Sequence, residues 1–110
     1  MTSAFVRVGT TSDVPAGAMK WFAVERERIL LVNVDGAYYA LSDACGHQRA
    51  PLSGGRLDGH VVECPLHFAC FDVRTGHLLS GPISEDVPIH EVRVEEGAIY
   101  VRRGAPPRAP

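Results

Sequence analysis

Three features of the 110 residues predict an all-β domain of mostly antiparallel strands. Apolar residues recur with period two: Val92, Val94, Ile99 and Val101 fall beside Arg93, Glu95 and Arg102, the mark of a half-buried strand. The dipeptides Asp35-Gly36 and Glu96-Gly97 separate such runs, and glycine accepts the positive φ that a tight hairpin requires. No window sustains a 3.6-residue apolar repeat.

In chain order, strands are expected at Phe5–Val8, Lys20–Val24, Ile29–Val34 and Ala37–Leu41, the last two joined by Asp35-Gly36. They continue at His60–Glu63, introduced by Asp58-Gly59 as a third turn signal, and at Gly76–Leu79. His90–Val94 and Ala98–Val101 close the series around Glu96-Gly97. Trp21, Phe22, Tyr38 and Tyr39 fall inside strands and are expected to pack there. Two stretches do not read as strand: SDACGHQRAPLSGGRL from Ser42 to Leu57 and CPLHFACFDVRTG from Cys64 to Gly76. The tail 104–110 holds three prolines, which lack an amide donor, and is expected to be disordered.

Composition narrows the class. The chain has room for one core. Eleven basic residues against thirteen acidic ones give a formal charge of −2, with no basic stripe for nucleic acid. The apolar runs reach only four or five residues, where a membrane-spanning helix needs about 20. Residues 1–7 carry no basic-then-apolar leader pattern, so a cytoplasmic protein is expected. Three cysteines exclude an all-thiolate metal site, which takes four; any metal must recruit histidine, of which there are five.

Each irregular stretch holds one close Cys/His pair: Cys45-Gly46-His47 and Cys64-Pro65-Leu66-His67, with sixteen residues (48–63) between them. Two thiolates and two imidazoles suit zinc or an iron–sulfur centre and are poor ligands for magnesium or calcium. A structural zinc module is one reading. A mixed pair on each loop fits a binuclear cluster better, with the thiolates on one iron and the imidazoles on the other. Two ferric ions, two sulfides, two thiolates and two neutral imidazoles sum to zero charge. Such a centre accepts an electron more readily than a dianionic four-thiolate one.

The chain resembles the Rieske [2Fe-2S] family in Cys45-x-His47, the sixteen-residue spacer and Cys64-Pro65-x-His67. The likeness continues through Phe71-Asp72, Thr75-Gly76, Gly81-Pro82 and the segments VPIHEVRV and GAIYVRR. It implies a single domain over 1–103, with three antiparallel sheets and a two-loop cluster-binding subdomain at about 42–57 and 64–82. It also implies one [2Fe-2S] cluster per chain held by Cys45, His47, Cys64 and His67. Within the family the chain is most similar to the free-standing ferredoxins of bacterial ring-hydroxylating dioxygenase systems. That likeness implies a monomeric one-electron carrier without catalytic residues. It would run between a flavin-dependent NAD(P)H reductase and a terminal oxygenase, docking transiently near His47 and His67. A small subunit of another redox enzyme, such as nitrite reductase, is the alternative, although those subunits typically lack the ligands.

Several positions depart from the family pattern. Ala50 and Leu66 stand where some members have a loop-bridging cysteine pair. Ala69 and Phe71 replace a serine and a tyrosine that donate hydrogen bonds to sulfur, which implies a potential near the low end of the Rieske range, about −150 mV. Phe68 stands where glycine is usual, and Gly46 where a larger residue is common. Cys70 is expected to be a bystander, and His60, His77 and His90 to be structural or surface residues. Pro51, Leu52, Leu66, Phe68 and Pro82 are expected to rim the ligands. Asp43, Glu63, Asp72, Glu85 and Asp86 are expected on an ordinary solvated surface.

Overall fold

A computed structural model describes residues 4–44, 51–65, 68–81 and 86–104. Ten strands follow one another: β1 Val6–Thr10, β2 Met19–Val24, β3 Glu27–Val34, β4 Ala37–Ser42, β5 Arg56–Asp58, β6 Val61–Glu63, β7 Cys70–Asp72, β8 Leu78–Ser80, β9 Ile89–Glu95 and β10 Ala98–Arg102. Short 3-10 turns lie at Thr11–Asp13 and Leu52–Gly54. Among the described residues no helix is long and apolar enough to cross a membrane.

Every strand pair is antiparallel, as the alternation and turn signals imply. The strands form a six-stranded sheet in the order β1-β10-β9-β4-β3-β2 and a four-stranded sheet in the order β5-β6-β7-β8. The three sheets expected from the resemblance are therefore two. The difference lies in β9. Glu91–Glu95 pair with β10, while Ile89 and His90 pair with Leu41 and Ala40 of β4, so two three-stranded units join along one ladder.

The strand assignments shift in two further places. β7 falls inside, and β5 begins inside, the stretches expected to be irregular, because three residues are too few to show a period. The strand expected from Gly76 begins at Leu78, since Gly76 adopts φ 79° and its amide donates to the Asp72 carbonyl instead of to a ladder partner.

The core has two lobes that share β3. Leu30, Val32 and Val34 point one way and meet Leu41, Leu52, Val62, Cys64, Ala69, Phe71, Val73 and Val87. Ile29 and Leu31 point the other way and meet Val14, Val24, Ala40, Ile99 and Val101. A strand apolar on both faces must be covered on both, and β3 is buried from Ile29 to Val34. The one polar residue in that run, Asn33, donates from Nδ2 to the Val14 carbonyl at 2.8 Å and accepts the Gly36 amide at 2.7 Å, so its burial leaves no bond unmade. Through β3 the small sheet, and everything mounted on it, is fixed to the large one.

Candidate metal centre

Cross-strand register sets the position of the site. Arg56, Glu63, Cys70 and Ser80 form one row across the four-stranded sheet, at the start of β5, the end of β6, the start of β7 and the end of β8. The segments 44–55, 64–69 and 81–86 therefore all leave from one end of that sheet. Both Cys/His pairs lie on the first two of these segments. Cys64 is among the described residues; Cys45, His47 and His67, like Gly46, Ala50, Leu66, Pro82 and Glu85, lie outside them.

Each ligand segment is closed at its base. For the first, the Asp43 carboxylate accepts the Ser53 amide at 2.7 Å and the Ser53 hydroxyl at 2.8 Å. Arg28 Nη2 lies 3.1 Å from the same carboxylate, and its guanidinium carbon sits 3.9 Å from the centre of the Trp21 ring. Asp43 is thus a buried anchor and not the solvated surface carboxylate expected from the sequence. For the second segment, the Cys64 amide donates to the Ala69 carbonyl at 2.7 Å, and the Phe68 amide donates to the Cys64 carbonyl at 3.1 Å.

The segments also meet one another. A Cβ on Gly55 would fall 1.8 Å from the Glu63 carbonyl oxygen and 3.2 Å from the Pro65 ring, so only glycine fits where the first segment crosses the second. A Cβ on Gly81 would lie 2.6 Å from Ala69 Cα, which seats the third segment against the second.

Cys64 is a free thiol, wholly buried in the core lobe with Leu52, Val62, Ala69 and Phe71. Ala69 and Phe71 are themselves wholly buried and bring no hydroxyl to this end of the sheet. Cys70 is half-buried, its Sγ 3.7 Å from the Phe68 carbonyl, in keeping with a bystander. Leu52, expected on the rim, is core; Pro51 and Phe68 are exposed. Phe68 keeps the left-handed backbone that glycine would favour, at φ 58°.

The remaining histidines have other partners. The His60 ring stands edge-on to Tyr39 with centroids 6.1 Å apart. His77 Nδ1 lies 3.0 Å from Asp86, whose carboxylate also accepts the Leu78 amide at 2.8 Å; these bonds hold it below the usual carboxylate range. His90 Nδ1 accepts the Gly104 amide at 2.8 Å, and its Nε2 lies 3.0 Å from Ser42 Oγ. Burial, chiefly, holds His90 below the usual histidine range, against the pull of Glu27. Among the described residues no group of three or more His, Cys, Asp or Glu side chains is placed to hold a metal.

The donors fit an iron–sulfur group: a buried, unpaired thiol at the base of the second segment, and a thiol and two imidazoles in sequence on segments leaving the same sheet end. The Rieske [2Fe-2S] domain model matches residues 4–91. The ferredoxin component of the naphthalene 1,2-dioxygenase/salicylate 5-hydroxylase systems of Ralstonia sp is 33 % identical over 102 residues, covering 93 % of this chain and 98 % of that one. The biphenyl dioxygenase ferredoxin subunit of Pseudomonas sp. (strain KKS102) is 38 % identical over 98 residues, covering 88 % and 90 %. A structure described as a complex of reduced oxygenase and oxidized ferredoxin in carbazole 1,9a-dioxygenase superposes with TM-score 0.86 at 34 % identity, covering 94 % of this chain and 97 % of that one.

The chain belongs to the Rieske [2Fe-2S] domain family, whose domain carries one [2Fe-2S] cluster. Within it, this is a protein of the ferredoxin kind, an electron carrier and not a catalyst.

Proposed function

We propose that this chain is the ferredoxin component of an aromatic-ring dioxygenase system. In this reading residues 1–103 form one domain. Cys45 and Cys64 bind one iron of the cluster, and His47 and His67 bind the other. When bound, the group stores and releases single electrons.

The chain's own residues hold the donors in place. Asp43 and Ser53 fix the ends of the first ligand segment, and the Cys64–Ala69 bond fixes the second. Leu52, Val62 and Phe71 keep water from the Cys64 thiolate. The electron donor is a flavin-dependent NAD(P)H reductase and the acceptor a terminal oxygenase. Each docks in turn on a monomer near His47 and His67, in the cytoplasm.

The observation that carries this reading is the convergence of both Cys/His segments at one end of the four-stranded sheet, with a buried free thiol at its base. The test is the absorption spectrum and metal content of the protein after anaerobic iron–sulfide reconstitution. A red-brown solution that bleaches on reduction by dithionite, with two irons and two sulfides per chain, is expected. A colourless protein holding one zinc overturns the assignment.

A further inference from the structure

Phe68 combines two features that are each unfavourable in an isolated protein. Its φ of 58° is the left-handed region, where a side chain crowds its own backbone and glycine is preferred. Its side chain is 67 % exposed, so packing within the chain offsets little of that strain. The backbone is not free to relax. The Phe68 amide is bonded to the Cys64 carbonyl, and the loop around it is closed by the 2.7 Å bond between Cys64 and Ala69. An apolar ring is therefore presented to solvent from a fixed backbone, next in sequence to His67. Strain and exposure held together by a rigid frame mark a functional position.

We propose that Phe68 is an apolar docking contact for the terminal oxygenase, which receives it in a shallow apolar depression. This rests on the carrier function proposed above and adds the residue that recognises the acceptor. The acceptor is chosen because the 34 % identical ferredoxin is found in complex with an oxygenase. A small transient interface gains much of its affinity from one central aromatic anchor. The bond from the Phe68 amide to the Cys64 carbonyl lowers the ordering cost of using one. Pro65, three residues earlier in the chain, is also exposed. The contact has no charge of its own, so its share of the affinity is insensitive to salt.

The test uses cluster-loaded protein, reduced by dithionite and freed of excess reductant. It is mixed in a stopped-flow instrument with the oxidised oxygenases of the naphthalene, biphenyl and carbazole dioxygenase systems. The wild-type chain is expected to reduce at least one of them. For that oxygenase, Phe68→Gly should raise Kd about tenfold at both low and high salt. It should leave the saturating rate and the voltammetric potential unchanged, and raise the melting temperature. Phe68→Leu, which keeps the apolar bulk, should stay within about threefold of wild type.

A wild-type Kd for Phe68→Gly overturns the proposal and leaves the carrier function standing. So does a shifted potential, which would place the effect at the cluster. A wild-type chain that reduces none of the three oxygenases overturns the carrier function, and this contact with it.

Discussion

At the scale of single residues, Asp43 ties four parts of the molecule together. Its carboxylate is buried where β4 ends, two residues before the first cysteine of the site. It receives Ser53 from the far end of the ligand segment and Arg28 from β3, and Trp21 of β2 stacks on that arginine. Arg28 is half exposed, so the ion pair contributes little in water. The weight falls on the two Ser53 bonds to a buried charge, each worth about 1.5–3 kcal/mol. Asp43→Ala is expected to lower stability by about 3 kcal/mol in urea denaturation and to speed loss of the cluster's visible absorbance. A loss below about 0.5 kcal/mol would show that the anchor is dispensable.

His90 supplies a pH dependence with a definite sign. Its neutral ring accepts the Gly104 amide at Nδ1 and donates from Nε2 to Ser42, which donates to Glu27 at 3.0 Å. Burial lowers its folded pKa below the unfolded value of about 6.5, with a smaller push from Arg103. Folding therefore favours the neutral form. Stability is complete above about pH 6.5 and falls as pH drops from there toward the folded pKa, because protonation breaks the bond from Gly104. Thermal melts across that window should show the decline in wild type and its loss in His90→Gln. An unchanged slope in the variant would assign the titration to another group.

Residue roles were legible where chemistry repeats in the sequence. The Cys/His pairs stand out by donor type and spacing, and Cys64, the one of those four residues described, is a buried free thiol. Asp43 was not legible, because an acidic residue in a polar loop reads as solvated until the fold brings Ser53 and Arg28 to it. Leu52 misread in the opposite sense: beside Pro51 and Gly54 it looks like a loop surface residue, yet the 3-10 turn drives it into the core.

At the scale of elements, turn chemistry decides what the sequence reveals. Asp35-Gly36 and Glu96-Gly97 both adopt left-handed φ pairs, 53° and 92° at the first and 50° and 80° at the second, as expected of their hairpins. The β2–β3 hairpin turns at Glu25-Arg26 with φ of 51° and 70°, although neither residue is glycine. No local signal marked that turn, because the ladder from Met19–Val32 to Val24–Glu27 imposes it on residues that resist it. Arg26→Gly removes that strain and should raise stability by about 1 kcal/mol, seen as a higher melting temperature. A lowered melting temperature would mean that Arg26 makes contacts outweighing its backbone conformation. β5 and β7 escaped notice for a different reason. Three residues define no period, and their strand character comes from pairing with β6.

At the scale of the whole molecule, the ten strands of the described residues leave one end of a small sheet to the segments that carry the Cys/His pairs and use β3 to hold that sheet steady. The large sheet covers the second face of β3. The fold class was readable from periodicity and turns. The joining of two three-stranded units into one sheet was not, because it depends on two residue pairs between β4 and β9 that are far apart in sequence. The net charge of −2 is small, so docking relies more on local shape than on long-range steering.

The central claim is that two of the five histidines, His47 and His67, are iron ligands and the other three are not. Electron–nuclear double resonance on dithionite-reduced protein, with histidine nitrogens isotopically labelled, tests it directly. Two imidazole couplings are expected in wild type, both retained when His60, His77 and His90 are replaced together by Gln. A reduced protein with one coupling or none, or the loss of a coupling in that triple variant, would contradict it.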